Sequence, residues 1–247
     1  MRYLKIYEEF QADSKFNIMW KEPSDDYIKE EMHELFNNVG IFLKEENFDK
    51  VYVKLPSLFH HIAEKYLKND TKDVKEIRNL LAGKNPDEIG LGPYMKDIKE
   101  NPTEEMKKEA FTLIRSGIMV EWTGTEEPTN LISKTGNMGD LTQVFGLKSG
   151  RSGWMGKLEF EKGVEGINQL QKLLDSGFSE PGFDFVAKGY LRNYDELLAK
   201  KTISKPAPFI LNVGETTEKP YHLIGGHKRS CIALQLGLPV TAWSINF

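Results

Sequence analysis

Residues 208–245 read PFILNVGETTEKPYHLIGGHKRSCIALQLGLPVTAWSI, and this stretch decides which fold we expect. Short apolar runs bounded by Gly, Pro and Asn are typical of strands, whereas a longer run after a glycine pair indicates a helix. The predicted order is strand, turn, strand, helix and strand. The strands cover residues 209–213, 221–224 and 240–245, and the helix ends at Gly237. Upstream, Asn193 is predicted to cap a helix over residues 194–201.

The feature that bears most on function is the pair Gly225-Gly226, between the second strand and the helix. Neither residue has a Cβ, so the backbone can approach a ligand closely. The helix that follows presents unpaired N–H groups and the positive end of its dipole, which suit an anion such as phosphate. The alternative is a tight turn with solvated charges. The predicted phosphate or nucleotide site consists of Gly225, Gly226, His227, Lys228, Arg229 and Ser230.

This order of elements, with these residues, resembles the ParB/sulfiredoxin-like superfamily over roughly the last 55 residues. The matching segments are residues 194–198, 208–211 and 221–229, followed by Ala233, Gly237, Val240 and Ala242. Members of that superfamily include partition-type proteins that use CTP, sulfiredoxins that use ATP, and ADP- or ATP-dependent amino-acid kinases. The resemblance implies that Gly225 and Gly226 let the phosphates approach and that Arg229 contacts them.

The chain departs from the family pattern at two positions. Sulfiredoxins have a cysteine within the motif, whereas Cys231 follows it inside the predicted helix. Peroxiredoxin repair is therefore not expected, and a buried, inert thiol is the simpler interpretation. Partition-type proteins have an acid after the glycine, where this chain has His227.

Phosphoryl transfer also needs a base and a carboxylate, the latter for a metal or for the acceptor hydroxyl. His227 is the candidate base, and hydrogen bonding to phosphate is its alternative role. Asp195 and Glu196 are the candidate carboxylates, and the alternative is that they are first-turn acids of the helix capped by Asn193. We expect Mg²⁺ with ATP, ADP or CTP, and no residue spacing predicts a dedicated protein metal site.

The composition changes between residues 123 and 156, where glycines become frequent. Lys148, Arg151 and Trp154 in this segment combine positive charge with an aromatic ring, which can bind single-stranded nucleic acid or another substrate. The alternative for Trp154 is an ordinary core position.

The N-terminal region is predicted to be mostly helical, with acidic caps and amphipathic periodicity. Strands are predicted over residues 3–7, 51–55 and 118–122, and helices over residues 27–39, 56–67, 71–81, 103–117 and 164–174. The fold class is therefore α+β, with a helical N-terminal region and a C-terminal ParB/sulfiredoxin-like mixed core. We place the domains at residues 1–180 and 181–247.

Composition limits the possible functions. The net charge is −4, so the chain has no overall basic character of the kind that marks nucleic-acid-binding domains. One cysteine and no long apolar run predict a cytoplasmic protein without a membrane partner.

Three functions remain open at this point. The first is a nucleotide-dependent phosphotransferase or nucleotide hydrolase. The second is a DNA-acting protein, either a nuclease or a base-modification factor, that uses the same motif on backbone phosphate. The third is a non-catalytic module that senses a nucleotide or binds a protein partner of unknown identity.

Overall fold

The protein has an α+β fold with a four-stranded sheet in the computed structural model. The structure describes residues 20–122, 164–177, 183–200, 205–214, 221–226, 229–230, 233 and 240–247. It divides into two compact units. The helical unit comprises residues 23–118, 211–220 and 244–247, and the sheet unit comprises residues 1–22, 119–210 and 221–243. The sequence analysis placed a domain boundary near residue 180. A domain boundary separates parts that fold independently, and this division by contacts does not test that, so the boundary stays a prediction.

Seven α-helices form most of the described part of the helical unit. Ser24, Asp73 and Thr103 cap the first, fifth and seventh helices by accepting backbone N–H bonds, as expected for these residue types. A π-helical turn, Ile62–Tyr66, follows the fourth helix, and a 3₁₀ turn, Gly92–Tyr94, precedes the sixth. The helices are α1 Asp25–Phe36, α2 Val39–Phe42, α3 Glu45–Lys54, α4 Pro56–His61, α5 Val74–Leu81, α6 Met95–Glu100 and α7 Glu104–Arg115.

The core of the helical unit is aromatic and aliphatic. Phe36, Phe48 and Phe59 are fully buried, and the rings of Phe48 and Phe59 lie 4.8 Å apart. Burying one such side chain contributes about 1.5–3 kcal/mol relative to leaving it exposed. The amphipathic faces of α1 and α7 pack on each other, so the two ends of the segment 23–118 lie close together in space.

The predicted strand over residues 51–55 is wrong, because these residues belong to α3 and its C-terminal end. Phe48 and Val51 are both buried while Val53 is 75% exposed, which is a helical rather than a strand pattern. The helix predicted over residues 27–39 ends earlier, at Phe36, and Val39–Phe42 form the separate helix α2.

The sheet has the strand order β1-β4-β2-β3. Strand β4 runs parallel to β2, since the N–H of Trp243 donates to Pro208 O at 2.7 Å and that of Phe247 donates to Asn212 O at 3.1 Å. Strand β2 lacks alternating exposure, because Phe209, Ile210 and Leu211 are all buried. The strands are β1 Ile118–Trp122, β2 Phe209–Asn212, β3 Tyr221–Gly225 and β4 Val240–Asn246. These bounds confirm the predicted strands at residues 118–122, 209–213, 221–224 and 240–245.

Two further helices are α8 Val164–Asp175, which confirms the predicted helix there, and α9 Phe183–Lys200. The predicted N-cap at Asn193 is wrong, because α9 begins ten residues earlier and Asn193 is buried inside it. The spacing of Ala187, Tyr190, Leu191 and Tyr194, all buried, places one apolar stripe across the predicted boundary. That stripe keeps the chain helical through Asn193. The predicted strand at residues 3–7 and the predicted helix end at Gly237 lie outside the described residues.

Candidate functional site

The chain turns from strand to helix directly after β3. Gly225 ends the strand, Gly226 has a φ of +89°, and Arg229 and Ser230 are helical. The backbone N–H and the Oγ–H of Ser230 both donate to Gly226 O, at 3.0 and 3.1 Å. The first of these bonds is the one that the residue before a helix accepts. Gly226 therefore accepts both bonds in a backbone conformation that other residues rarely adopt.

The side chain of Arg229 folds back over this turn. It is only 7% exposed, and its NH2 donates to Ala207 O at 3.2 Å. A Cβ on Gly226 would lie 2.7 Å from Arg229 Cζ and 2.8 Å from Pro208 Cα, closer than real contacts allow. Gly226 is therefore required for space as well as for its φ, and the Arg229 guanidinium lies directly against it.

Ala207 connects this turn to the segment before β2. Its carbonyl accepts the Arg229 bond, and its N–H donates to Lys21 O at 2.8 Å. Ala207 is fully buried, so both of its backbone groups need these partners. The position of the Arg229 charge thus depends on residues far away in the sequence.

The structure brings together four of the six residues of the predicted phosphate site. Gly225, Gly226, Arg229 and Ser230 form one turn, with Gly225 and Ser230 buried. His227 and Lys228 lie outside the described residues. The predicted contacts at Lys148, Arg151 and Trp154 also lie outside them.

Asp195 and Glu196 lie on α9 and not on the turn. The alternative that they are first-turn acids is wrong, because the helix starts at Phe183. They occupy its C-terminal half, where the dipole does not stabilise a negative charge. Asp195 is exposed and Glu196 is partly exposed. Their catalytic role stays a prediction.

A polar cluster that the sequence analysis did not anticipate surrounds Asp97 on α6. Its carboxylate accepts hydrogen bonds from Lys65 Nζ, from Tyr66 Oη at 2.6 Å and from Asn101 Nδ2 at 2.9 Å. The bonds from Lys65, Tyr66 and Asn101 hold the pKa of Asp97 well below its usual range. Burial, and then the bond to Asp97, raise the pKa of Tyr66. The cluster thus joins the π-helical turn to α6.

One group of metal-ligand residue types occurs within the described residues, on α1. Ligand atoms of Glu31, His33 and Glu34 lie within 4.8 Å of one another. His33 Nε2 lies 3.0 Å from Glu34 Oε1, and His33 Nδ1 lies 2.9 Å from Glu30 O. Both ring nitrogens of His33 thus already have partners within the protein, so the cluster does not require a metal.

No family model, curated protein or solved structure matches this chain. Within the described ranges, none of the helices is sufficiently long and apolar to cross a membrane.

Proposed function

We propose that this protein is a nucleotide-binding enzyme of ParB/sulfiredoxin-like type, a phosphotransferase or nucleotide hydrolase, that holds phosphates at residues 225–230. The observation that carries the proposal is the buried guanidinium of Arg229, which lies against Gly226 at the start of a helix. This is the place where the sequence predicts an anion.

Three physical effects at this turn favour a phosphate. A guanidinium stays charged at any physiological pH, and its field is stronger where water is excluded. The helix start adds backbone N–H donors and the positive end of the dipole. Gly226 carries no side chain, so the charged guanidinium of Arg229 can lie directly against the backbone of the turn.

The same arrangement suits phosphoryl transfer, in which catalysis is mostly positioning and stabilisation of developing negative charge. Arg229, Lys228 and the backbone amides of the turn supply the positive groups. His227 accepts a proton from the acceptor or donates a hydrogen bond to phosphate. In this proposal Asp195 or Glu196 holds the Mg²⁺ that accompanies ATP, ADP or CTP, a role that carboxylate oxygens suit.

Calorimetric titration tests the proposal with ATP, ADP and CTP in the presence of Mg²⁺, and with a short single-stranded DNA. We expect one nucleotide to bind and Lys228→Ala to weaken it roughly tenfold to 150-fold, since a charge-assisted hydrogen bond contributes about 1.5–3 kcal/mol. Nucleoside diphosphate or phosphate release, measured on the same samples, distinguishes an enzyme from a sensing module.

Lys172→Ala is the matched control, because Lys172 is an exposed lysine on α8 of the same unit and is not one of the proposed site residues. It removes the same charge and should leave the nucleotide affinity unchanged. Equal losses of nucleotide affinity in both variants would show that the effect comes only from the net charge of the protein. Binding of DNA alone would favour the DNA-acting alternative, and no binding of any ligand would overturn the phosphate site.

A further inference from the structure

The turn that follows α4 has an unusual backbone. Residues Ile62–Tyr66 form a π-helical turn, and the N–H of Leu67 donates to Ile62 O, five residues earlier, at 3.2 Å. The N–H of Asn69 donates to Ala63 O, six residues earlier, at 3.0 Å. Single π-helical turns are rare and occur frequently at functional sites. None of these residues belongs to the predicted phosphate site, so the turn is a separate feature of the protein.

The side chain of Tyr66 connects this turn to its neighbours. Its ring stacks on that of Tyr94, in the 3₁₀ turn, with the ring centres 4.7 Å apart. It also lies nearly perpendicular to the ring of His61, at 5.7 Å. Its hydroxyl donates to Asp97 on α6 at 2.6 Å. Any rearrangement at His61 that moves Tyr66 therefore changes the contacts of the turn with two later elements.

The imidazole of His61 is placed where only its neutral form is satisfied. Its Nε2 is buried and has no hydrogen-bond partner within the described residues. In the neutral ring this nitrogen can carry a lone pair, whereas in the imidazolium it must carry an N–H. A buried N–H without an acceptor loses its bonds to water and gains none in return. Protonation of His61 is therefore unfavourable as long as the turn stays closed.

The charges around His61 partly offset one another. The carboxylates of Asp97 and Glu64 favour the imidazolium, and the ammonium of Lys65 opposes it. Lys65 and Asp97 also form an ion pair with each other. Burial, and then the charge of Lys65, lower the pKa of His61. Burial, and then the bond to Asp97, raise the pKa of Tyr66, so this neighbour stays neutral.

We infer that His61, the π-helical turn and Asp97 form a pH-sensitive switch, in which protonation of His61 opens the turn and releases Tyr66 from Asp97. Opening admits water, which accepts the new N–H of the imidazolium. The stack of Tyr66 on Tyr94 is lost in the open form, and the turn no longer holds α6 through the tyrosine. The switch is thus a local change in the helical unit, driven by one proton.

The direction of the pH dependence follows from proton linkage. The open turn, in which the pKa of His61 is about 6.5, binds more protons than the closed turn. The closed form is therefore fully favoured above about pH 6.5 and loses stability as the pH falls through the pKa of His61 in the closed turn. Because one proton is involved, the opening constant rises by at most about tenfold for each pH unit.

NMR of the full chain at pH values from about 7.5 to 5 tests the inference. We expect the ring resonances of Tyr66 and Tyr94 to shift over the same pH range in which His61 titrates. The amide of Leu67 should lose hydrogen-exchange protection several-fold over that range, after correction for the intrinsic exchange rate. Titration of His61 without a response of the tyrosines and the Leu67 amide would overturn the inference. A His61 pKa at or above about 6.5 would overturn it as well.

His61→Gln tests whether this imidazole is the group that responds to pH. The variant should leave the tyrosine resonances and the Leu67 amide independent of pH in this range. His60→Gln is the matched control, because His60 is the neighbouring histidine on α4 and instead bonds to Tyr52 at 2.8 Å. It should leave the pH response of the turn unchanged. A response that persists in His61→Gln, or that is lost equally in His60→Gln, would contradict the role of His61.

Lys65→Met tests the electrostatic part of the switch and needs no change at His61. It removes the cation that opposes the imidazolium and leaves Asp97 with one donor fewer, so the pKa of His61 should rise. The loss of protection at Leu67 on acidification should then become smaller. Lys72→Met, at an exposed lysine outside the cluster, should change neither quantity. An unchanged pKa of His61 in Lys65→Met would overturn the inference.

Discussion

Arg229 and Asp97 each join parts of the chain that are more than twenty residues apart, but they do so in opposite surroundings. The Arg229 guanidinium is buried and bonds to the carbonyl of Ala207, 22 residues earlier. The Asp97 carboxylate is partly exposed and bonds to Lys65 and Tyr66. Water competes with the bonds of Asp97 and not with that of Arg229. We therefore expect similar hydrogen bonds to contribute more stability at the turn than in the cluster.

The largest effect should come from Gly226→Ala. The new Cβ would meet the backbone of Pro208 at 2.8 Å, and the residue would keep a φ of +89°. The conformational cost is about 1–2 kcal/mol, and overpacking adds about 1–3 kcal/mol. Urea denaturation measures the loss.

Gly90→Ala is the control for the conformational cost alone. Gly90 has a φ of +69°, and nothing lies within 4 Å of its added Cβ. The free energy of unfolding of Gly90→Ala should therefore fall only by the conformational cost, about 1–2 kcal/mol. Equal losses at the two glycines would show that the close approach of Pro208 adds no cost.

Arg229→Met should have the next largest effect. It keeps most of the apolar stem but leaves the buried carbonyl of Ala207 without this donor, which costs about 1–3 kcal/mol. The burial of Arg229 therefore leads us to expect reduced stability in this variant. Denaturation of Arg229→Met beside Arg192→Met, an exposed arginine of the same unit, measures the difference. Equal stability of the two variants would break the contrast between buried and exposed polar groups.

A smaller loss is expected for Tyr66→Phe in the Asp97 cluster. It removes the phenol that donates to Asp97 at 2.6 Å and should reduce stability by about 0.5–1 kcal/mol. The pKa of Asp97, followed by NMR, should rise because one donor to its carboxylate is lost. Tyr94→Phe is the matched control, since Tyr94 stacks on Tyr66 but is exposed. A larger loss for Tyr66→Phe than for Arg229→Met would reverse the comparison.

The smallest effect should be the pH dependence that comes from His61. Burial, and then the charge of Lys65, lower the pKa of His61 in the folded state. The unfolded chain, with a His pKa of about 6.5, then binds more protons. Stability should be full above that value and fall as the pH decreases through the folded-state pKa.

His61→Gln should make the free energy of unfolding depend less steeply on pH. Denaturation of the variant and of the unaltered protein at a series of pH values from about 7.5 to 5 measures this dependence. The low pKa of Asp97 contributes nothing in this range, since its carboxylate is ionised in both states. If the pH dependence of the free energy of unfolding is the same in the variant, a group other than His61 causes it.

Helix starts and the glycine turn could be predicted because their determinants are local. Ser24 and Thr103 accept bonds from backbone N–H groups three residues ahead, within the same short segment. The strand-turn-helix order around Gly226 follows from the absence of a Cβ and from the apolar runs on either side.

Predictions failed where a short window fits two structures. Residues 51–55 alternate as a strand would, and only Phe48, one turn earlier, reveals the helical period. At Asn193 a residue that favours helix starts lies instead inside an apolar stripe that begins before it. Packing of that stripe outweighs the capping preference, which is worth about 1 kcal/mol.

The sequence by itself determined the fold class, the strands of the C-terminal segment and the residue types at the turn, because each depends on neighbours a few residues away. Tertiary structure decided that Arg229 is buried against Ala207 and that Glu109 is held by Ser57. Burial and pairing depend on which distant segments meet, and those meetings follow from the packing of the whole core and not from local preference.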